Sequence, residues 1–208
     1  NATFATILGM LAALSMVRFG KFRGRTLFGG MLVAPLVMPE VITGLSLLVM
    51  FITLKQFFGW PENRGFATIT IAHITFSMAY VAVTIQARLT GMGQSLEEAA
   101  ADLGAKPFKV LTAITMPRLT PALISGWLLA FTLSLDDLVI ASFVSGPGAN
   151  TLPILIFSRI RLGLRPDINA LATIIILVVA VCIAIAALIM FRQQKRDMLD
   201  QQLAEGEK

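Results

Sequence analysis

The sequence predicts an all-α integral membrane protein, one transmembrane domain over 1–208, with five spanning helices and a cytoplasmic helix-turn-helix loop between the third and fourth. Three observations carry this expectation. Hydrophobic residues make up 56% of the 208 and charged residues only 14%, with a mean hydropathy of +0.80, outside the range of soluble domains. Apolar runs of about span length recur along the chain, at 2–17, 31–54, 66–87, 121–145 and 168–191. Basic residues gather at the ends of those runs, where they set membrane orientation.

The run 2–17 is slightly short for a span and begins at Asn1 without an initiator Met, so it reads as a first helix trimmed at its N-terminus. A signal peptide fits poorly, because the basic cluster Arg18, Lys21, Arg23 and Arg25 follows the apolar run instead of preceding it. That cluster marks a cytoplasmic loop. The run 31–54 is apolar except for Glu40 and can cross a bilayer core of about 30 Å at about 1.5 Å per residue. Pro35 and Pro39 predict a kink or local unwinding around Glu40, and broken helices in membranes tend to line cavities. Phe57, Phe58, Trp60 and Pro61 have the chemistry of an outer interfacial loop.

The third run, 66–87, carries His73 and returns the chain to the cytoplasm at Arg88; the loop 88–120 follows. The fourth, 121–145, holds Ser125, Thr132, Ser134, Asp136 and Asp137. An outer segment, 146–167, is amphipathic in its middle and expected along the outer interface or folded towards the pore. The fifth run ends at Arg192, Lys195 and Arg196. Of the 17 Lys and Arg, only Lys55, Arg64, Arg159, Arg161 and Arg165 fall on outer segments, so the orientation is supported and the loop comes out cytoplasmic. The net charge of +5 thus reflects orientation and argues against nucleic acid as a partner. The lone Cys182 allows no intramolecular disulfide.

Only Glu40, Asp136 and Asp137 among the acidic residues lie inside runs. Each costs about 2.5–3.5 kcal/mol near a helix centre, so each should face a cavity, a partner or a substrate. All three fall within roughly 6 Å of the midplanes of their runs. No Lys or Arg lies in a run interior to neutralise them, and His73 is the one cationic candidate at similar depth. A cationic substrate would answer the charge; capping or pairing at a helix interface is the other reading. Neighbouring helical residues point about 100° apart. Asp136 shares its face with Thr132 and Ser125, whereas Asp137 shares one with Ala130 and Gly126, so Asp136 is the better pathway candidate. A lone His cannot anchor a metal and is more often a hydrogen-bonded packing residue.

In the loop, Ser95-Leu96-Glu97-Glu98 has capping-box spacing and predicts a short helix starting near Leu96. Ala99, Ala100, Ala101 and Leu103 favour it, Gly104 can end it in a left-handed conformation, and Pro107 can open a second turn. Glu98-Ala99-Ala100, then Gly104, Ile114, Met116 and Pro117 resembles the EAA loop of permease subunits of ATP-binding-cassette (ABC) importers, with Met116 where Leu is usual. The runs APLVMPEVITGLSLL and FTLSLDDLVIASFVSGPGANTLPILIFSRIRLGLRPDINALATI resemble the polyamine branch of that family, the putrescine and spermidine permeases, and most of all the putrescine type.

The resemblance implies a type I ABC importer permease fold in a bacterial inner membrane. It implies a complex with a second homologous permease, two cytoplasmic ATPase subunits and a periplasmic polyamine-binding protein. It assigns Glu98, Ala99, Ala100, Leu103, Gly104, Ile114 and Pro117 to ATPase coupling. A polyamine substrate would suit Asp136, Asp137, Glu40, Thr132 and His73 as a pathway. No G-x-x-x-x-G-K-[ST] loop occurs, so the chain is expected to be no enzyme and to hold no cofactor, with ATP and Mg on the partner ATPase. The alternative is a secondary transporter for a small cation, which would also use intramembrane carboxylates but has no need of a helix at this spacing.

Overall fold

Glycine and proline punctuate the chain throughout. The computed structural model describes residues 1–161 and, beyond them, 169, 170, 173, 174, 176, 177, 180 and 181. Helix α1 (Ala2–Arg18) ends beside Arg25, whose Nη2 donates to Met16 O in its last turn at 2.8 Å and whose Nη1 donates to Gly20 O just beyond it at 3.0 Å. A cation there complements the negative helix end. Helix α2 (Arg25–Val37) keeps Pro35 inside it and stops at Met38, which is extended, as a residue before proline prefers. Helix α3 (Glu40–Phe58) starts after Pro39.

The unwinding expected around Glu40 is present: the break falls at Met38 and Pro39, so 31–54 is shared between α2 and α3, and Glu40 opens α3. Its carboxylate lies where the helix dipole favours negative charge. Helix α4 (Phe66–Gly91) covers the third run and extends beyond it.

Helix α5 (Ser95–Asp102) is followed by α6 (Pro107–Val110), a π turn over Leu111–Thr115, and α7 (Met116–Asp136). The last three are continuous, a 30-residue helix from Pro107 to Asp136, so the fourth helix begins well before residue 121. In the π turn the Met116 N–H reaches back to Leu111 O, one residue further than in an α-helix. The wider turn immediately precedes Pro117, which lacks a donor and would crowd a carbonyl of a regular preceding turn. At its other end α7 stops at Asp137, so residues 121–145 do not form one helix; α8 (Val139–Val144) and α9 (Leu152–Arg161) follow.

Packing centres on α4. Leu14 of α1, Val81, Ile85 and Leu89 of α4 and Leu119 and Ala130 of α7 form one core. The fully buried Val81 sits between two glycines: a Cβ at Gly9 would lie 2.9 Å from Val81 Cβ, and one at Gly126 would lie 3.2 Å from its Cγ1. Where lipid is as apolar as the side chains, such close approach through small residues drives association. A second core joins Leu47 and Phe51 of α3, Ile69, Ala72 and Phe76 of α4, and Ile140 and Val144 of α8. There the Oγ1 of buried Thr68 accepts the Gly65 N–H at 2.8 Å and lies 2.7 Å from Val144 O.

The outer faces are apolar too, with Phe4, Ile7 and Leu11 of α1 and Val41, Leu45 and Val49 of α3 exposed. Among the described residues, Glu40–Phe58, Phe66–Gly91 and Pro107–Asp136 are long and apolar enough to cross a membrane; α1 and α2 are shorter apolar helices. Asn1–Leu155 forms one compact unit and Ile156–Lys208 a second. In the second, the Arg161 guanidinium lies 4.8 Å over the Phe157 ring. The expected fifth run, 168–191, lies largely outside the described residues, as does 162–167 of the outer segment.

Candidate functional site

The candidate residues gather at the two ends of the Pro107–Asp136 helix. At its C-terminal end, Asp137 is extended and only 9% exposed. Its Oδ1 accepts the Ile140 N–H at 3.1 Å and its Oδ2 the Ala141 N–H at 2.7 Å, so the carboxylate caps α8. His73 Nε2–H, from α4, donates to Oδ2 at 2.9 Å. His73 Nδ1 lies 2.8 Å from the Ser134 hydroxyl and 3.4 Å from Asn1 Nδ2, which itself donates to Ser134 Oγ at 2.9 Å. A cavity of about 330 Å³ adjoins this chain of bonds, lined by Thr70, His73, Ser134, Asn150 and Thr151 among others.

Asp136 is placed differently. It is exposed on α7 with Thr132 and Ser125, and the described residues give it no hydrogen bond or ion pair. Thr132 Oγ1 donates to its own helix at Leu128 O, 2.9 Å away. On the same helix Trp127 and Phe131 stack with ring centroids 5.4 Å apart, and Trp127 Nε1–H donates to Thr3 Oγ1 at 3.1 Å. Glu40 is exposed at the start of α3, one turn ahead of Gly44, where α3 meets Ile140 and Phe143 of α8. The structure thus joins His73 to Asp137 and leaves Asp136, Thr132 and Glu40 facing outward.

At the N-terminal end lie the loop residues. Helix α5 buries none of its side chains, and Glu98 and Ala99 are exposed. The capping box expected from Ser95 and Glu98 is absent: Gln94 precedes the helix, no side chain caps it, and the Glu98 N–H bonds Gln94 O at 2.9 Å. Ser95 is already the first helical residue, so its hydroxyl is not in the capping position.

The expected stop is present. Gly104 has φ +83°, its N–H bonds Ala101 O at 2.8 Å, and the Ala105 N–H bonds Ala100 O at 3.0 Å, a Schellman ending that requires a left-handed residue. Leu103, just before it, is 90% exposed. Pro107 opens α6 after extended Lys106, Ile114 lies in the π turn, and Pro117 is exposed near the start of α7.

Sequence reasoning missed Glu97. Its Oε2 lies 3.0 Å from Arg18 Nε, and its Oε1 accepts from Arg18 Nη2 at 3.1 Å and from the Thr115 hydroxyl at 2.9 Å. Only the Nη2 contact has hydrogen-bond alignment, since Arg18 Nε is without a bonded partner despite its proximity. Arg18 Nη2 is also 3.3 Å from Met92 O. The partners lie 79 and 18 residues away, and no local pattern could have shown them.

A core of apolar helices with apolar outer faces, three of them among the described residues long enough to cross a membrane, is the frame of a membrane-spanning protein, and α5 adds an exposed helix ending at a left-handed glycine. The chain belongs to the family described as "Binding-protein-dependent transport system inner membrane component", which it matches over residues 5–196. It is therefore an inner-membrane transport component, and the spaced pattern from Glu98 to Pro117 belongs with that family. The chain is 59% identical over 203 residues to the putrescine transport system permease protein PotI of Escherichia coli K12, covering 98% of this chain and 72% of that protein. It is 40% identical over 196 residues to the spermidine/putrescine transport system permease protein PotC of the same strain, covering 94% and 71%. The Haemophilus influenzae PotC is 42% identical over 188 residues, covering 90% and 70%.

Proposed function

We propose that this chain is the permease subunit of a polyamine importer, with putrescine as its substrate, and that it works by alternating access driven by separate ATPase subunits. Its 59% identity to a putrescine permease across nearly its whole length is the observation that carries this reading. In this reading five spans cross the membrane, with the loop 88–120 cytoplasmic and 146–167 outside, an orientation that the distribution of Lys and Arg supports. The partners are a second homologous permease, two ATPase subunits holding ATP and Mg, and a periplasmic polyamine-binding protein.

In this mechanism α5 is the coupling helix. Glu98, Ala99, Ala100 and Leu103 present an unburied face to the ATPase, and Gly104 makes the sharp turn that lets α5 project. Closure of the ATPase pair moves α5, and through Ile114 and Pro117 the movement enters the long helix. Asp136, Thr132 and Glu40 face the polyamine path, where carboxylates replace water around an ammonium. Asp137 and His73 border it from within, holding the break between α7 and α8.

The test is uptake of labelled putrescine by the reconstituted complex, with and without ATP. Uptake strictly dependent on ATP and on the loaded binding protein supports the reading. Accumulation driven by a proton gradient without ATP would overturn it in favour of a secondary transporter.

A further inference from the structure

Helix α5, which receives the force in the proposed mechanism, must be fastened to the rest of the chain for that force to act. Apolar packing does not fasten it: no side chain of α5 is buried. A cleft of about 630 Å³ separates part of it from α1 and from the start of the long helix, bounded by Leu11, Leu14, Phe19, Ala101, Phe108 and Leu111 among others. The turns on either side, at Gly93 and Gln94 and at Leu103 to Lys106, are exposed apart from half-buried Ala105. A short helix so placed could tilt freely under load unless a directed contact held it.

Glu97 supplies that contact. Its carboxylate meets Arg18 at the end of α1 and the hydroxyl of Thr115, the last residue of the π turn, while Arg18 also lies against Met92 O at the end of α4. Three elements, α1, α5 and the π turn, thus meet at one carboxylate, and the end of α4 adjoins Arg18. The ion pair is half-sheltered, with Arg18 and Glu97 side chains 14% and 15% exposed, and Thr115 is 4% exposed. In such a place charge-assisted bonds are stronger than on an open surface.

Resting on the proposed coupling role of α5, we infer that Glu97 is a positioning residue for transport: Arg18, Glu97 and Thr115 form a latch that passes displacement of α5 to α1 and to the π turn. Glu98, next to it, is exposed at the cleft and bonds none of the described side chains, which leaves it for the ATPase side; Glu97 is bonded to Arg18 and Thr115 and belongs to the permease side. Without the latch, the ATPase would still bind and cycle, but its closure would tilt α5 without moving the spans.

The experiment uses the full reconstituted complex and reads two quantities, putrescine imported per ATP hydrolysed and stimulation of the ATPase by loaded binding protein. The variants are Glu97→Gln, Thr115→Val and the exchange Arg18→Glu with Glu97→Arg, beside Glu98→Ala and Gly104→Asp as loop controls. Glu97→Gln is expected to cut import per ATP about fivefold or more with the ATPase still attached, a change in coupling of the usual allosteric size. Thr115→Val should cut it less, and the charge exchange should recover part of the loss. A merely structural role would lower the yield of complex without changing import per ATP.

If Glu97→Gln and Thr115→Val import like wild type per ATP while the loop controls uncouple, the latch is wrong and the coupling role of α5 stands. Loop controls that couple normally remove the coupling role, and the latch falls with it. Should Glu97→Gln fail to assemble, Thr115→Val decides, since it deletes one hydroxyl and no charge; a wild-type ratio then overturns the latch.

Discussion

The two ends of the Pro107–Asp136 helix are both tied down by a carboxylate, yet in opposite ways. Asp137 is buried, accepts two backbone amides and an imidazole, and has its partners on neighbouring turns of packed helices. Glu97 is reached by the long Arg18 side chain and by the hydroxyl of buried Thr115 at the edge of a cleft, and among the described residues neither of its oxygens accepts a backbone amide. One end is set into the fold, and the other is held by contacts that can be remade. A transporter needs both, because a moving part can only do work against a part that stays still.

Removing Asp137 should have the largest effect on stability. Asp137→Ala strips the acceptor from two α8 amides and from His73 in a buried site, a loss of about 3 kcal/mol. Thermal unfolding in detergent would show it, and an unchanged midpoint would erase the contrast between the two ends. Gly104→Asp acts on the other end: the left-handed backbone strain costs about 1 kcal/mol, but putrescine uptake should fall about tenfold. Uptake at the wild-type rate would mean that α5 need not project.

Glu97→Gln should lower stability by about 1 kcal/mol or less, since its pair is partly open to solvent. A loss matching that of Asp137→Ala would show that the two ends are equally rigid. Asp136→Asn should change stability by under about 0.5 kcal/mol, because nothing in the described fold holds its carboxylate, while lowering putrescine uptake by the complex. Unchanged uptake would remove Asp136 from the substrate path.

How much of this was legible in the sequence differs from element to element. Local chemistry was readable: Gly104 ends α5, Pro107 opens the next turn, and the alternation of Gly126 and Ala130 with Ser125 and Thr132 correctly separates the inward from the outward face of α7. Helix α4 is unbroken because nothing in it breaks a helix. Hydropathy places the fourth run at 121–145, but the helix starts earlier, at the polar stretch from Pro107, where a π turn accommodates Pro117 and a continuous helix carries Pro121. Ser95 looked like a cap, but the chain entered the helix one residue early. The bonds of Asp137 to His73 and of Glu97 to Arg18 join residues 64 and 79 apart, and only the packed structure brings them together.

The continuity of the helix from Pro107 to Asp136 has a mechanical consequence. Thirty residues make a rod of ~45 Å, with no loop anywhere along it. With the end at Asp137 set into the fold, each degree of tilt sweeps the opposite end, near Pro107, through ~0.8 Å. A few degrees would therefore carry the end beside α5 through a distance comparable to the radius of an ammonium group, so the stroke of the machine can be small.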